Sequence, residues 1–289
     1  MLSYVLTISI LIYLSFPRDY FSSPKTCLPS TSLQETSLPA TSLPATSLPA
    51  TLLPKSSLHE NLLEESSLPD IVLAPGGATG FYMLGISHYI VNHFEIKDKK
   101  MVGFSAGSFN AIFMRLSPEK RIVILKEIFK CEEKKMLKVM SNIMNLIETH
   151  TELSDYEFGK TSIAVAHTDG LGLYDTFLTI EQLVRCCRSS SFVPFITHSS
   201  GINFYNHKIA MDGFFRYKTF LKKYERKPLV ISPTMFDRYR CNFTRKIKFV
   251  LGLHALKYDT IYQMYLNGYQ DATRNHSYFE SYLKPIELV

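Results

Sequence analysis

Apolar residues change their spacing several times along this chain, and each change marks a different kind of element. Leu2 to Phe16 is an almost unbroken apolar run, closed by Pro17-Arg18-Asp19. Its 15 residues fall short of the ~20 that a straight bilayer-crossing helix uses. No positive residue precedes it, as one would in a secretory leader. Arg18 and Lys25 follow it, which favours a cytoplasmic position for the next segment if the run inserts. The expectation over 1–25 is a hydrophobic N-terminal segment, an anchor or a signal-like leader, with the anchor preferred.

From Thr26 to Asp70 the period becomes five. Nine tandem pentads put leucine in the third place every time, from Leu28 to Leu68. A coil of pentapeptide turns would also point one leucine inward per unit. Six prolines in the fourth place and only 45 residues do not make such a coil self-supporting. The Pro, Ser and Thr content predicts a semi-extended, disordered linker over 26–70.

Regular patterning begins at Ile71. Ile71 to Ala74 reads as a short buried strand, Pro75-Gly76-Gly77-Ala78-Thr79-Gly80 as a loop, and Phe81 to Phe94 as a helix. A second apolar run starts at Met101 and enters Gly103-Phe104-Ser105-Ala106-Gly107, followed by a helix-compatible stretch. Ser117-Pro118-Glu119 starts an amphipathic pattern that lasts to about Glu148. That pattern fits one or two helices on the sheet; a livelier reading makes it a lipid-facing lid. Ile163 to Ala166 reads as a strand, and Thr179 with Gln182 as a capping box for a helix through Arg188. Lys208 to Met211 reads as a strand ending in Asp212-Gly213, and Pro228 to Ile231 and Lys246 to Leu253 as two more. Tyr258, Tyr262, Tyr265 and Tyr269 form a helical stripe suited to core packing. The alternation predicts an α/β domain over 71–289.

The candidate chemistry sits in the glycine clusters. In a Gly-x-Ser-x-Gly turn between strand and helix, Gly103 and Gly107 permit a bend sharp enough to hold the Ser105 hydroxyl above the sheet edge. The upstream loop fits an anion site, an oxyanion hole or a plain tight turn. It lacks the lysine and hydroxyl of a phosphate loop. Ser105 lies 28 residues after Gly77, room for one helix and one return strand. A right-handed β-α-β unit brings both loops to the carboxyl edge of a parallel sheet. There the amides of Gly76, Gly77 and Ala78 could receive the negative oxygen of an acyl group attacked by Ser105. Asp212 at a strand end is expected at the same edge; a turn-forming Asp-Gly is the plain alternative.

Composition narrows the partners. Apolar content of 46% with 20% charged residues suits a globular core. Three basic and six acidic residues fall in 1–70, so 71–289 carry 29 and 20, a balance of +9. The cations are scattered and no nucleic-acid motif is present, so an anionic membrane face is preferred over nucleic acid, with a solvated surface that has no partner weighed equally beside them. Five cysteines, two of them adjacent, give no disulfide framework and no zinc spacing. A reducing compartment and the absence of any metal or cofactor are expected. His88, His93, His167 and His207 read as ordinary residues, and Asn242 and Asn275 as sequons relevant only in a lumen.

Gly76-Gly77-Ala78-Thr79-Gly80, Gly103-Phe104-Ser105-Ala106-Gly107 and Asp212-Gly213 resemble, in order and spacing, the patatin-like phospholipase family. Ser190-Ser191-Phe192-Val193-Pro194-Phe195 is similar to a segment of its adipose triglyceride lipase and adiponutrin branch. The likeness covers Ile71 to Tyr217. It implies a three-layer α/β/α fold with a mainly parallel central sheet. It also implies a Ser–Asp dyad without histidine, with Ser105 as nucleophile and Asp212 as proton acceptor. Gly76, Gly77 and Ala78 would form the oxyanion hole, and Gly80 and Gly213 complete the motifs. The implied substrates are glycerophospholipids or acylglycerols at a membrane or lipid surface, with no calcium required; the cytoplasmic side expected for the hydrolase domain comes from Arg18 and Lys25. Three positions depart from the pattern: Pro75 for the loop's first glycine, Thr79 for a cation, and Phe214 for a small residue. The alternatives are a triad hydrolase using His254 or His276, and a silent lipid-binding protein on the same fold.

Overall fold

The computed structural model describes residues 68–224, 227–238 and 260–287. The hydrophobic segment over 1–25, the pentads up to residue 67, the strand expected from Lys246 to Leu253, Tyr258 and His254 lie outside them.

Short runs of aliphatic residues build the sheet because both of their faces are covered. Ile71–Leu73 (β1), Met101–Phe104 (β2) and Leu229–Ile231 (β7) lie side by side, with β1 parallel to both neighbours. Thr161–His167 (β3) pairs in parallel with β2. Beyond β3 the direction reverses. Leu171–Tyr174 (β4) and Lys208–Met211 (β6) both run antiparallel to β3, and Asn203–Tyr205 (β5) closes that edge on β6. The result is a mixed, mostly parallel sheet of seven strands in the order β5-β6-β3-β2-β1-β7, with β4 branching from β3.

Helices fill the connections. Gly80–His93 (α1) follows β1, and Ala106–Arg115 (α2) follows β2. The long amphipathic pattern resolves into two helices, Pro118–Phe129 (α3) and Met136–His150 (α4). Ile180–Ser190 (α5), Phe214–Leu221 (α6), Ile261–Arg274 (α7) and His276–Glu280 (α8) complete the set. No helix among the described residues is long and apolar enough to cross a membrane.

Successive strand residues point to opposite faces, which assigns the layers. Gly103 lies under α2: a Cβ there would stand 2.6 Å from the Gly107 carbonyl and 2.9 Å from the Ala111 methyl. Its neighbours Val102 and Phe104 face the other way, joining Val72, Ala164 and Phe220 of α6 in one buried cluster. So α2 and α6 cover opposite faces. Farther out, α1 and α7 touch backbone to backbone. A Cβ at Gly85 would lie 2.0 Å from the Tyr265 carbonyl, and one at Gly268 1.9 Å from that of Tyr82. The same pair is tied by Tyr82 Oη donating to Asp271 Oδ2 at 2.9 Å, and Asp271 also receives two 2.6 Å bonds from Arg238. Buried Arg115 anchors the end of α2 by donating to the carbonyls of Ile96, Lys97 and Lys99.

Two local expectations need correction. Ser117 occupies the N-cap of α3 but its hydroxyl makes no capping bond; Pro118 alone marks the start. The capping box of α5 is displaced, because Thr179 Oγ1 accepts from the Gln182 amide while Gln182 Oε1 returns to the amide of Leu178. In the tyrosine stripe, Tyr265 is buried and Tyr262 is exposed.

Candidate active site

Strand β2 runs straight into α2 with one residue, Ser105, making the turn. Its backbone stands at φ +53° and ψ −124°, a region that costs an L residue on the order of 1–3 kcal/mol. The surroundings hold it there. A Cβ at Gly107 would be 2.2 Å from the Leu73 carbonyl, so only glycine lets α2 start this close to β1. Ser108 Oγ donates to the Ser105 carbonyl at 2.6 Å. The Ser105 amide donates to Ser190 Oγ at 2.8 Å, and Ser190 Oγ donates in turn to the Ala164 carbonyl of β3 at 2.7 Å.

Asp212 reaches Ser105 by a route the strand order alone does not supply. A strand running antiparallel to β3 should deliver its last residue to the opposite edge of the sheet. But β3 outruns β2: Phe104 pairs with Ala164, and β3 continues to His167. Strand β6 meets β3 only at that overhang, Met211 opposite Ala166 and Ala210 opposite His167. The chain thus comes down onto the edge from above and leaves Asp212 beside the elbow. The expected location holds, and the expected reason is corrected.

Ser105 Oγ donates to Asp212 Oδ2 at 2.7 Å, and both side chains are buried. The other carboxylate oxygen accepts from the Phe214 amide at 2.8 Å. Burial pushes the Asp212 carboxyl up to about 7, against the opposing pull of the Phe214 amide and the Ser105 hydroxyl. A carboxylate balanced near neutrality and bonded to a hydroxyl can take that hydroxyl's proton and later return it.

The glycine loop folds into a 3-10 turn over Gly77–Thr79, with Gly77 at φ +54°. Thr79 closes it, its amide and its hydroxyl both donating to the Gly76 carbonyl, at 3.1 and 2.5 Å. Among the described residues nothing accepts from the amides of Gly76, Gly77 or Ala78. The loop abuts the elbow: a Cβ at Gly80 would meet the Ala106 methyl at 2.7 Å, and Asn110 Nδ2 of α2 donates to the carbonyls of both Gly80 and Ala106. Beside this junction opens a groove with about 730 Å³ of atom-free space, including its solvent mouth. It starts at Gly77 and Ala106 and runs between α1, α2, α3 and α4 over side chains such as Leu84, Phe109, Met140 and Ile143.

The three departures have local consequences. Pro75 donates nothing, yet three free amides follow it. Thr79 staples the loop. Phe214 opens α6 with its amide on Asp212, a bond any residue but proline would make, and Gly213 beneath it is helical at φ −54° and ψ −22°. His276 sits at the far end of α1, with Nδ1 on Tyr89 Oη at 2.7 Å and its ring against Phe94. No histidine among the described residues hydrogen-bonds to Ser105 or Asp212. Nor does any group of three or more His, Cys, Asp or Glu among them form a metal cluster.

Sequence reasoning assigned no role to Ser190 or Asn110. Ser190 joins elbow, β3 and the Asp212 turn, its carbonyl accepting from the Gly213 amide at 2.8 Å. Its signals were a serine run, Ser189-Ser190-Ser191, placed where a helix ends among apolar residues, and its place at the start of the Ser190–Phe195 segment, neither of which says what the hydroxyl bonds.

Protein-family models and curated protein sequences return no match to this chain. What the chain does is therefore argued from its geometry.

Proposed function

We propose that this chain is a serine acyl hydrolase of the patatin-like kind, a three-layer α/β/α domain that cleaves carboxylic esters of glycerophospholipids or acylglycerols. The observation that carries the reading is the 2.7 Å bond from the Ser105 hydroxyl to the buried carboxylate of Asp212. Ser105 Oγ adds to the ester carbonyl as its proton passes to Asp212. The carbonyl oxygen becomes negative where the amides of Gly76, Gly77 and Ala78 can donate to it; losing one such donor costs about 3 kcal/mol of transition-state stabilisation. Collapse breaks the bond to the glycerol oxygen, which leaves with the proton from Asp212. The acyl group remains on Ser105 with its chain in the apolar groove. Water, deprotonated by Asp212, then releases the fatty acid and restores the serine. Buried free thiols at Cys186 and Cys187 suit a reducing compartment.

A fluorophosphonate probe tests this, because only an activated serine labels quickly. Purified protein should label, Ser105→Ala should not, and Asp212→Asn should label far more slowly. Labelling that survives in Ser105→Ala rejects the assignment. No labelling of the wild-type protein favours a silent lipid-binding protein instead.

A further inference from the structure

Helix α6 leaves the candidate site directly, its first residue following Asp212-Gly213. Its inner side carries Tyr217 and Phe220, packed with Leu221 and Tyr224 against Val72, Val102 and Phe104. Its outer side is Phe214, Phe215, Lys218 and Thr219, continued by Lys222 and Lys223 of the turn that follows, all exposed. Phe214 and Phe215 are 39% and 40% exposed and meet edge to face, 5.8 Å apart. From Gly213 to Tyr224 the chain holds four cations and no acid. Among the described residues no carboxylate pairs with Lys218, Lys222 or Lys223. The helix is about 12 Å long at 1.5 Å per residue, so one short surface grades from apolar beside Asp212 to cationic at its far end.

We propose that this face of α6 docks the protein on an anionic phospholipid surface. The phenylalanine rings enter the boundary between acyl chains and headgroups, and the lysines meet the phosphates and carboxylates beside it. The proposal rests on the reading of Ser105 and Asp212 as a lipid hydrolase, and it assigns the two halves of the substrate to opposite faces of the sheet. The acyl groove lies on the α2 face and α6 on the other. A carbonyl held at the edge between them therefore sends its acyl chain one way and its glycerol half, still in the lipid surface, the other. Charge complementarity selects the partner: adjacent exposed rings followed by lysines that no carboxylate among the described residues neutralises match a bilayer bearing anionic headgroups.

The test is sedimentation of the full chain with vesicles of phosphatidylcholine alone or mixed with phosphatidylserine. Each lysine near such a surface is worth about fivefold in partitioning, so K218Q/K222Q/K223Q should lower binding to the mixed vesicles on the order of 100-fold. A control with the same charge change, K97Q/K130Q/K284Q, removes lysines already paired with carboxylates and should bind as wild type. Phe215→Ser should weaken binding to both vesicle types. The α6 lysine variant should still hydrolyse a water-soluble butyrate ester at the wild-type rate, which also shows that it is folded. Unchanged binding in that variant, an equal loss in the control, or no binding of the wild type overturns the proposal. So does lysine-dependent retention on a nucleic acid column without vesicle binding, which gives the face to a different polyanion. Labelling of Ser105 without lysine-dependent binding rejects the docking face alone; lysine-dependent binding without labelling rejects the hydrolase alone.

Discussion

Replacing Asp212 by asparagine should remove activity and, above neutral pH, make the protein more stable. Burial raises the Asp212 carboxyl from the usual 3.8 to about 7. Below about pH 4 the group is protonated folded or unfolded and contributes nothing. As pH rises from there to about 7 the native state keeps a proton that the unfolded chain has lost, so stability falls across that window and then levels off. The full penalty is on the order of 4 kcal/mol. Asparagine never ionises and escapes it. Its amide must instead present one N–H2 where the carboxylate accepts from Ser105 or Phe214, a loss of roughly 1–2 kcal/mol. The two effects predict that melting temperature against pH crosses over. Asp212→Asn should melt below wild type near pH 4 and above it by about 4–8 °C at pH 8, from a net 2 kcal/mol at 2–4 °C each. His88 and His198, both held near 4 by burial, act in the opposite sense but are common to both proteins and cancel in the difference. Thermal melts from pH 4 to 8.5, run beside butyrate ester assays, provide both readouts. Wild-type kcat/KM should climb about tenfold per pH unit until about 7 and then flatten. Parallel melting curves, or a flat rate profile through that range, would show that Asp212 is not a buried, neutrality-poised base.

Two further outcomes test the supports of the site. Ser190→Ala strips the acceptor from the Ser105 amide and the donor from the Ala164 carbonyl, each costing ~1–3 kcal/mol; Tm should fall by several degrees and kcat about tenfold or more, with KM held. Its neighbour gives the contrast: Ser191 Oγ is buried with no partner among the described residues, so Ser191→Ala should raise Tm slightly and leave kcat alone. In the groove, Ile143→Phe should lower kcat/KM for palmitoyl esters about tenfold against butyryl esters, read by competing the two substrates.

The parts of the fold legible in the sequence were those whose cause is local. Ile71–Leu73 and Met101–Phe104 are apolar on both sides because both sides are covered, and a run of that kind reads directly as a buried parallel strand. Gly103 and Gly107 betray the elbow because no side chain fits there. Strands β4 and β5 escaped notice because each has one face toward solvent and too few residues to display an alternation. Helix α6 escaped for another reason: its outer face opens with two phenylalanines, so its polar side, Lys218 and Thr219, begins only in the second turn of a helix eight residues long. The position of Asp212 was foreseen, but the overhang of β3 that puts it there is a property of register, which no residue of β6 announces. Ser190 is the harder case, since a serine becomes informative only once its neighbours in space are known.

The close approach of α1 and α7, which Gly85 and Gly268 permit, has a consequence for how the molecule comes into being. Helix α1, which begins at the glycine loop, is braced along its length by α7, and α7 starts only at Ile261. A ribosome adding some 5–20 residues per second releases Asp212 seconds before that brace. During that interval Ser105 and Asp212 are both present while the face of α1 that α7 covers in the finished fold lies bare. The interval from emergence of the Asp212 turn to arrival of α7 is therefore one in which a surface buried in the finished fold stands open to other chains.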